Sequence, residues 1–454
     1  MKIQHITLTN FRLFKSFECS FESDLTVLVG VNGQGKTTLL DSLAIALGQF
    51  VGGFGPGIDK GIIDGDIRLA KITTEWNSQP EQNASYGGYQ MEQQLPVSIN
   101  VIAFPDDQLS FKKWSRQRNT LKGRTTLVKE LKNLASELQT AVQQGQKVTL
   151  PLIAYYGTGR LWGQKRLSGF AHSQNKADSR LYGYSDCLDP SSSYTAFSTW
   201  LRKQTLSEFE FQLSQKELEN PISETPRSNW IESIRKAVDI ILESTGWKNV
   251  RYSAIHQAVV VTHSEYGDHP VSSLSDGLRN TIGMVADIAY RAILLNPHFL
   301  KNAVTKTPGI VLIDEVDMHL HPEWQQMILT QLSRGFPNLQ FIVTTHSPQV
   351  LSTVKRHQIR LITHQQGIGT GTLPVGETLA EASNDLLERV MKVSPRPPLP
   401  QVELFEKYML MIDRGLFDSP EAQNLRDKLL SILGPEHEDI RRSDRAIARK
   451  RRLG

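Results

Sequence analysis

The sequence predicts an α/β fold in which a mixed, partly parallel β-sheet is flanked by helices. Leu25–Val29, Gly309–Ile313 and Leu339–Thr344 are mostly continuous apolar runs, the pattern of strands buried on both faces. A glycine-rich turn follows the first run, and residues 38–47 then place apolar side chains at helical spacing. Polar side chains follow the other two runs. Because ligands bind at the carboxyl ends of strands in open α/β sheets, these polar ends indicate a binding site.

Composition and charge are ordinary for a globular protein. The 454 residues can form two or three compact units with a sizeable core. The formal net charge of +4 permits a nucleic-acid partner without arguing for one. Much of the positive excess lies near the end of the chain, in Arg441, Arg442, Arg445, Arg449, Lys450, Arg451 and Arg452. Such a run is either a solvated terminus or a phosphate-binding surface, and the sequence leaves both open.

Cysteine use and the N-terminal pattern predict a cytoplasmic protein. Cys19 and Cys187 have neither disulfide-framework nor metal-binding spacing, which suits a reducing compartment. Residues 1–7 lack the apolar segment of a signal peptide, and no run approaches membrane-spanning length. We therefore expect no contact with a membrane.

Residues 30–37 read G-x-x-x-x-G-K-T, the pattern of a phosphate-binding loop. The preceding strand and the following helix, which we expect to end at Gly48, supply the context that the motif requires. Loop N–H groups would converge on the phosphates, Lys36 would neutralise the β- and γ-phosphates, and Thr37 would ligate magnesium. The loop residues assigned to the nucleotide are Asn32, Gly33, Gly35, Lys36, Thr37 and Thr38. The alternative is a chance glycine-rich turn.

The first two segments of the chain are residues 1–160 and 161–250. In the first, the patterns predict strands within residues 2–9, 17–21, 67–76, 97–103 and 150–156, a helix over 125–143 and a polar surface excursion over 77–94. In the second, polar loops alternate with helices over 195–213 and 230–244. We interpret residues 161–250 as a short helical arm or lid inserted between two halves of one nucleotide-binding head. A separate helical domain is the alternative.

Residues 251–380 form the second half of the head, and residues 381–454 a helical, basic C-terminal extension. The second half has a β-rich run at 258–262, helices over 275–295 and 322–332, and a last strand near 361–363. In the extension, prolines at 395–400 precede helices over 402–412 and 420–433. Its basic end is either a short helix or disordered.

Asp314 and Glu315 directly follow the second apolar strand. Asp314 would hold magnesium, directly or through its water, and Glu315 would orient and polarise an attacking water as a general base. Two carboxylates at this place could instead cap a helix.

Two further motifs indicate contacts with a γ-phosphate. His346 follows the third strand, where its position one helix after Glu315 favours a role toward the phosphate or water over a structural one. Ser275 opens a long helix in the sequence Leu-Ser-Asp-Gly. Its simplest role is to cap that helix. Its functional role would be to meet, with the Gly277 backbone and the helix dipole, a γ-phosphate bound to a second subunit.

With these motifs in order, the chain resembles the ABC-type ATPase heads of the RecF and SMC class. The resemblance covers residues 1–76 and 251–355, through Asn10-Phe-Arg12, the phosphate loop, Leu-Ser-Asp-Gly, Asp314-Glu315 and Thr-His346-Ser. It implies a two-lobed P-loop ATPase head that binds ATP and Mg²⁺, with Arg12 among the nucleotide-binding residues. It also implies a head-to-head dimer that sandwiches two ATP molecules, each site completed by Ser275 and Gly277 of the other subunit.

The sequence departs from this class at one loop. The class has a glutamine-bearing loop where this chain has Tyr156-Gly-Thr-Gly-Arg160, with no glutamine until Gln164. The magnesium contact of that glutamine is therefore unassigned. His319 and His321 resemble the loop that crosses such a dimer. A metal site at these two histidines is the alternative, although no third ligand is evident nearby.

A narrower resemblance, carried by residues 152–162 and 274–297, is to the PtuA component of Septu antiphage defence. That family acts with an HNH endonuclease and forms multimers. No HNH-like or TOPRIM-like metal cluster follows residue 355. We therefore predict an ATPase that serves as the sensor-regulator of an antiphage complex, with an HNH-type nuclease partner and DNA. The alternatives are a standalone RecF/SMC-like DNA repair or recombination clamp, and a scaffold that binds ATP but hardly hydrolyses it.

Overall fold

The computed structural model describes residues 1–73, 89–105, 112–159, 179–190, 194–215 and 224–453. Contacts divide the chain into a large unit, Met1–Leu386, and a C-terminal unit, Leu387–Gly454. Among the described residues, no helix has both the length and the apolar character needed to cross a bilayer.

The described strands belong to three sheets. In chain order they are β1 Ile3–Phe11, β2 Phe14–Ser20, β3 Leu25–Val29, β4 Leu69–Thr73, β5 Tyr89–Gln93, β6 Val97–Ala103, β7 Lys113–Arg118, β8 Leu152–Tyr156, β9 Trp247–Ser253, β10 Ala258–His263, β11 Gly267–Pro270, β12 Gly309–Ile313, β13 Leu339–Thr344, β14 Ile359–Gln365 and β15 Ile368–Thr372. The largest sheet has the order β7-β6-β1-β2-β15-β14-β3-β13-β12-β8. β9, β10 and β11 form a second sheet, and β4 pairs with β5.

One half of the large sheet is parallel, as the apolar runs predict. β14, β3, β13, β12 and β8 run in the same direction, and every residue of β3, β12 and β13 is buried. The register sets Ile313 beside both Val343 and Tyr156. Consequently the polar residues that follow β3, β12 and β13 meet at one edge of the sheet.

The other half of the sheet is antiparallel. β7, β6, β1 and β2 pair antiparallel in sequence, and β15 joins this half to the parallel one by pairing parallel with β2 and antiparallel with β14. This mixed sheet flanked by helices confirms the predicted α/β class of P-loop ATPase head.

The helices lie between and after these strands. They are α1 Lys36–Val51, α2 Lys129–Gln143, α3 Tyr194–Gln215, α4 Pro226–Ile241, α5 Asp276–Leu295, α6 Ala303–Lys306, α7 Pro322–Gln325, α8 Ile328–Gly335, α9 Pro348–Leu351, α10 Ser383–Arg389, α11 Pro400–Asp413, α12 Pro420–Leu433 and α13 Glu438–Leu453. α1 and α5 are the most deeply buried, with nearly every residue of α1 inaccessible to solvent.

The prediction that Gly48 ends the first helix is wrong. α1 continues to Val51, and Gly52 is its C-cap. A Cβ atom at Gly48 would lie 2.6 Å from the Lys60 carbonyl oxygen. This glycine therefore allows the following loop to pack closely on the helix, rather than ending it.

Several boundaries in the large unit also differ from the prediction. Tyr89–Gln93, placed in a polar excursion, forms β5, because pairing with β4 outweighs its polar composition; residues 77–88 of that excursion lie outside the described residues. A further strand, β15, follows β14, so residues 361–363 are not in the last strand. The helix predicted over 322–332 is two helices, α7 and α8, separated by residues 326–327.

The described part of residues 161–250 includes α3 and α4. α4 contacts α5, α8 and β9. Ser233 Oγ donates to the Lys301 carbonyl at 2.7 Å, and Thr225 caps α4 by accepting from the Ser228 N–H. These contacts join the two helices to elements that follow them in the chain.

The C-terminal unit is built around its own small core. Its buried side chains are Phe405, Tyr408, Ile412, Ala422, Leu429 and Ile440, from α11, α12 and α13. The basic end of the chain lies in α13, which resolves the sequence's alternatives in favour of a helix.

Candidate nucleotide site

The phosphate-binding loop has the backbone conformation that its glycines allow. Gly33 and Gly35 have φ angles of 82° and 93°, in the left-handed region that favours glycine. A Cβ atom at Gly35 would lie 2.5 Å from the Phe14 ring. α1 begins at the next residue, so its N-terminal N–H groups and positive dipole end face the loop.

Lys36 is buried against the loop. Its Nζ donates to the carbonyl oxygens of Gly30 at 2.7 Å and Val31 at 3.3 Å. Burial lowers the pKa of Lys36, while the negative charges of Asp314 and Glu315 oppose that shift. The loop carbonyl oxygens therefore hold the ammonium, and the charges of both carboxylates act on it.

Two residues that the sequence did not single out attach the loop to β14. The backbone N–H of His364 donates to Gln34 Oε1 at 2.8 Å, and His364 Nδ1 lies 2.8 Å from the same oxygen. A Cβ at Gly30 would lie 2.7 Å from the Ile362 carbonyl oxygen, so the loop and this strand are in close contact. Gln34, the last of the four unspecified positions of the motif, thus attaches the loop to the sheet.

Asp314 links the two nucleotide motifs. Thr37 Oγ1 donates to its Oδ2 at 2.7 Å, and Thr344 Oγ1 donates to its Oδ1 at 2.6 Å. The same Thr344 oxygen accepts the Glu315 backbone N–H at 2.7 Å. The end of β13 therefore orients both acids at the end of β12. The sequence signal for Thr344 was a polar residue closing an otherwise apolar strand.

Glu315 and His346 follow the neighbouring strands β12 and β13 and interact electrostatically. Glu315 has a φ angle of 48°, a conformation that L residues rarely adopt and that occurs often at functional sites. Burial and the charge of Lys36 lower the pKa of His346, and nearby Glu315, Asp317 and Asp314 oppose the shift. Because the neutral imidazole is favoured, one ring nitrogen can accept a proton or a hydrogen bond.

Arg12 lies beside α1 in a charged network. Its Nη1 donates to Asp41 at 2.7 Å and its Nε to Asp66 at 2.9 Å, while Lys60 also pairs with Asp41 at 3.1 Å. Asp41 is one helical turn beyond Thr37. The arginine is thus held near the phosphate loop by carboxylates.

The signature segment presents a different environment. Ser275 is at the N-cap position of α5, but its exposed hydroxyl makes no capping hydrogen bond, so the simple capping role is not observed. Gly277 is buried, and a Cβ there would lie 2.2 Å from the His319 carbonyl oxygen. The segment therefore packs on the loop that follows Glu315.

A buried triad connects α5 with the strand beside β12. Asp287 Oδ2 accepts from Tyr156 Oη at 2.7 Å and from Arg291 Nε at 2.7 Å. The Asp314 N–H in turn donates to the Tyr156 carbonyl oxygen at 2.8 Å. A displacement of α5 would therefore be transmitted to the acids at the end of β12.

The structure brings several of the predicted site residues together. The phosphate loop, Asp314, Glu315 and His346 form one cluster. Asn32 and Thr37 are exposed at its surface, and Thr38 is buried in α1. Arg160 and Gln164, from the loop that departs from the class pattern, lie outside the described residues.

Magnesium fits the donor set at this edge. The Thr37 hydroxyl and the Asp314 carboxylate lie within hydrogen-bond distance of each other and supply hard oxygen ligands. Magnesium is usually held by one or two protein groups and completed by phosphates and waters. Among the described residues, no three or more His, Cys, Asp or Glu side chains are grouped so that they could hold a metal. His319 and His321 therefore have no third ligand of these types within the described ranges.

The chain is similar to known proteins over most of its length. A protein-family model described as "AAA domain" matches residues 5–242, and a second AAA domain model matches residues 155–352. The "Retron Vc95 probable ATPase" of Vibrio cholerae serotype O1 biovar El Tor is 26% identical over an alignment of 466 positions, gaps included, that covers 94% of this chain and 86% of the relative. The "Retron Ec83 probable ATPase" of Escherichia coli is 26% identical over an alignment of 497 positions that covers 97% of this chain and 85% of the relative.

Similarity to PtuA is confined to part of the chain. The Septu protein PtuA of Bacillus mycoides (strain KBAB4) is 30% identical over 171 residues, which cover 35% of this chain and 22% of the relative. Among solved structures, an SMC head bound to the C-terminal winged-helix domain of ScpA matches at 13% identity and a TM-score of 0.45, covering 82% of this chain and 97% of that one. The two retron ATPases therefore match nearly the whole chain, whereas this PtuA matches about a third of it.

Proposed function

The chain belongs to the AAA domain family and is an ATPase, and we propose that it acts as an ATP-driven dimeric switch in a bacterial antiphage defence complex. The observation that carries this proposal is the cluster at the sheet edge, where Asp314 contacts Thr37 of the phosphate loop and Thr344 fixes the Glu315 backbone. The similarity to two retron ATPases and to PtuA supports the defence role.

The described side chains suggest how hydrolysis proceeds. The loop N–H groups and Lys36 bind the phosphates of ATP, and Lys36 stabilises the charge that develops on the γ-phosphoryl group. Thr37 and Asp314 would hold Mg²⁺, which would neutralise negative charge on the phosphates. Glu315 orients the attacking water and accepts its proton, while His346 hydrogen-bonds the γ-phosphate or that water. Asn32, Gly33, Gly35, Thr38 and Arg12 complete the nucleotide-binding set.

Dimer formation would complete each site. The Ser275 hydroxyl is exposed and is not used to cap α5, so it is available to a γ-phosphate on a second head, together with the Gly277 N–H and the dipole of α5. ATP then favours the dimer because it binds both heads, and hydrolysis removes that preference. In this scheme, residues 1–160 and 251–380 are the two lobes of each head. Residues 161–250 are an arm inserted between them, and residues 381–454 are a C-terminal extension.

The proposed partner is an HNH-type nuclease, and the proposed target is DNA. The similarity to PtuA supports a nuclease partner, because the PtuA family acts with an HNH endonuclease. That similarity covers 35% of this chain. The C-terminal unit, with its separate core, is the proposed attachment site.

The test is a pull-down of tagged Glu315→Gln protein from the cells that encode it, with ATP, followed by mass spectrometry. We expect an HNH-type nuclease in stoichiometric amount, retained because ATP persists in this variant. The matched control is Lys36→Ala, which should not retain an ATP-dependent partner. Recovery of the chain alone, or with repair proteins and DNA, would contradict the defence role and favour a RecF/SMC-like clamp.

A further inference from the structure

The last helix, α13, presents an arginine face to solvent. Arg441, Arg442, Arg445, Arg449 and Arg452 are all exposed. At about 100° per residue, they occupy a sector of about 100° on one side of the helix. The opposite side carries Ile440, Ser443 and Ile447, which are buried or partly buried against α11 and α12. We call the five exposed arginines the arginine face.

The arginine face is poorly neutralised within the protein. Arg441 pairs with Glu436 and Arg445 with Glu438, but both partners are highly exposed, so solvent weakens the pairs. The side chains of Arg442, Arg449 and Arg452 make no ion pair or hydrogen bond with any residue that the structure describes.

This face is unfavourable for the isolated helix. Like charges three or four residues apart on a helix repel each other, and the five arginines include several such pairs. The C-terminal unit as a whole has 14 Lys and Arg against 11 Asp and Glu residues, a net charge of +3 of the chain's +4. A bound polyanion would relieve this repulsion.

We propose that the arginine face binds the phosphate backbone of a nucleic acid. Planar guanidinium groups match phosphate oxygens in pairs, which lysines do not. From Arg442 to Arg452 the helix rises about 15 Å, which corresponds to about four phosphates along one strand of a duplex. The proposal deepens the proposed function, on which it rests for the presence of a nucleic acid, and names the surface that holds it.

The chemistry of the face disfavours other partners. A helix that lies on a membrane needs an apolar side to insert, whereas the apolar side of α13 packs in the core of its own unit. Hot spots of protein interfaces combine Trp, Tyr and Arg, and α13 offers arginines but no aromatic side chain.

The test compares two triple variants of the full-length protein. One is Arg442→Ala, Arg449→Ala and Arg452→Ala. The control is Lys407→Ala, Arg414→Ala and Lys428→Ala, which removes the same charge from exposed positions of the same unit outside the face. Binding to fluorescent DNA of about 30 nucleotides, single-stranded and duplex, is measured by anisotropy over a range of salt concentrations.

We expect the first variant to bind DNA at least about tenfold more weakly at low salt. The slope of log affinity against log salt should fall by about 2 to 3, because each phosphate contact contributes about 0.7 to 0.9. The control should change the affinity by less than about threefold, and an Arg→Lys version of the first variant should keep most of the slope. Unchanged DNA binding in the first variant, or equal losses in both variants, would overturn the proposal.

Three further measurements distinguish this proposal from the alternatives. ATP hydrolysis and thermal stability are recorded for every variant. ATP hydrolysis should not change, because no residue of the arginine face belongs to the nucleotide cluster, and the melting temperature should stay the same or rise as the repulsion is relieved. If ATPase activity is absent from all forms while DNA binding still depends on the face, the proposed function fails and this proposal stands. Vesicles containing anionic lipid are the third probe. Loss of vesicle binding with DNA binding intact would assign the face to a lipid surface instead.

Discussion

The cluster at the carboxyl edge of the parallel strands and the signature segment at the start of α5 are built in opposite ways. In the cluster, Asp314 contacts two hydroxyl groups and the Glu315 N–H has a partner. In the signature segment, the Ser275 hydroxyl is exposed and caps nothing. The comparison teaches that hydrogen bonds within one chain orient the two acids and the phosphate loop, whereas the Ser275 hydroxyl is left exposed at the start of α5.

The two regions nevertheless contact each other within the chain. Gly277 packs on the His319 carbonyl in the loop after Glu315, and Asp287 of α5 is hydrogen-bonded to Tyr156 beside β12. Five predictions test this contrast.

Lys36→Ala should have the largest effect. It removes the only lysine of the phosphate loop, so we expect ATP affinity to fall by a factor of about 100 or more. A fluorescent nucleotide titration measures this loss, with the exposed Lys132→Ala on α2 as the control. Unchanged affinity would show that the loop is not the phosphate site.

Glu315→Gln should separate binding from hydrolysis. The amide keeps the size of the side chain but cannot accept the water's proton, so we expect kcat to fall by about 100-fold or more. Nucleotide affinity should stay within about threefold of wild type. Phosphate release and equilibrium titration on the same preparation measure both quantities, and wild-type turnover would remove Glu315 as the base.

Ser275→Arg should leave ATP binding by one chain intact and prevent the dimer. We expect kcat to fall by about tenfold or more, because the charge and bulk would occupy the γ-phosphate side of the partner's site. Light scattering with and without ATP measures the dimer. Mixing this variant with Lys36→Ala should restore activity, since one site of the mixed dimer is then complete. Failure of the mixture would argue against a shared site.

Thr344→Val should have a smaller, mixed effect. It removes the Thr344 acceptor of the part-buried Glu315 N–H, which we expect to cost about 1 kcal/mol of stability. It also releases one oxygen of Asp314, so kcat should fall by a few-fold to about tenfold. Thr344→Ser keeps the hydroxyl and serves as the matched control. Calorimetry measures the stability and steady-state kinetics measures kcat. Wild-type values of both for Thr344→Val would contradict the role of this hydroxyl.

His346 should give the smallest effect, seen in pH dependence. Burial and the charge of Lys36 lower the pKa of His346, so the unfolded chain takes up this proton at a higher pH than the folded protein. The stability it contributes is therefore present above its unfolded pKa and is lost as pH falls below about 6.5. The melting temperature of His346→Gln should fall less between about pH 8 and pH 5 than that of wild type. Parallel curves for the two proteins would contradict the assignment.

The resemblance and periodicity predicted the elements around the nucleotide cluster well. The phosphate loop and the buried strands β3, β12 and β13 were predicted close to their observed bounds, as was α12 in the C-terminal unit. Motifs of this kind are local, because a loop conformation or a strand end depends on neighbours in the chain. Gly48 shows the limit, since its role is set by the distant Lys60 backbone.

By itself, the sequence determined that a phosphate loop, two acids and a histidine end separate strands of one α/β sheet, because apolar runs and glycine positions are local properties. Only the tertiary structure decided which side chains hold those groups. Thr344 between the acids and Gln34 against β14 act through contacts between segments about 30 and 330 residues apart in sequence. Such contacts depend on strand order and register, which no single segment specifies.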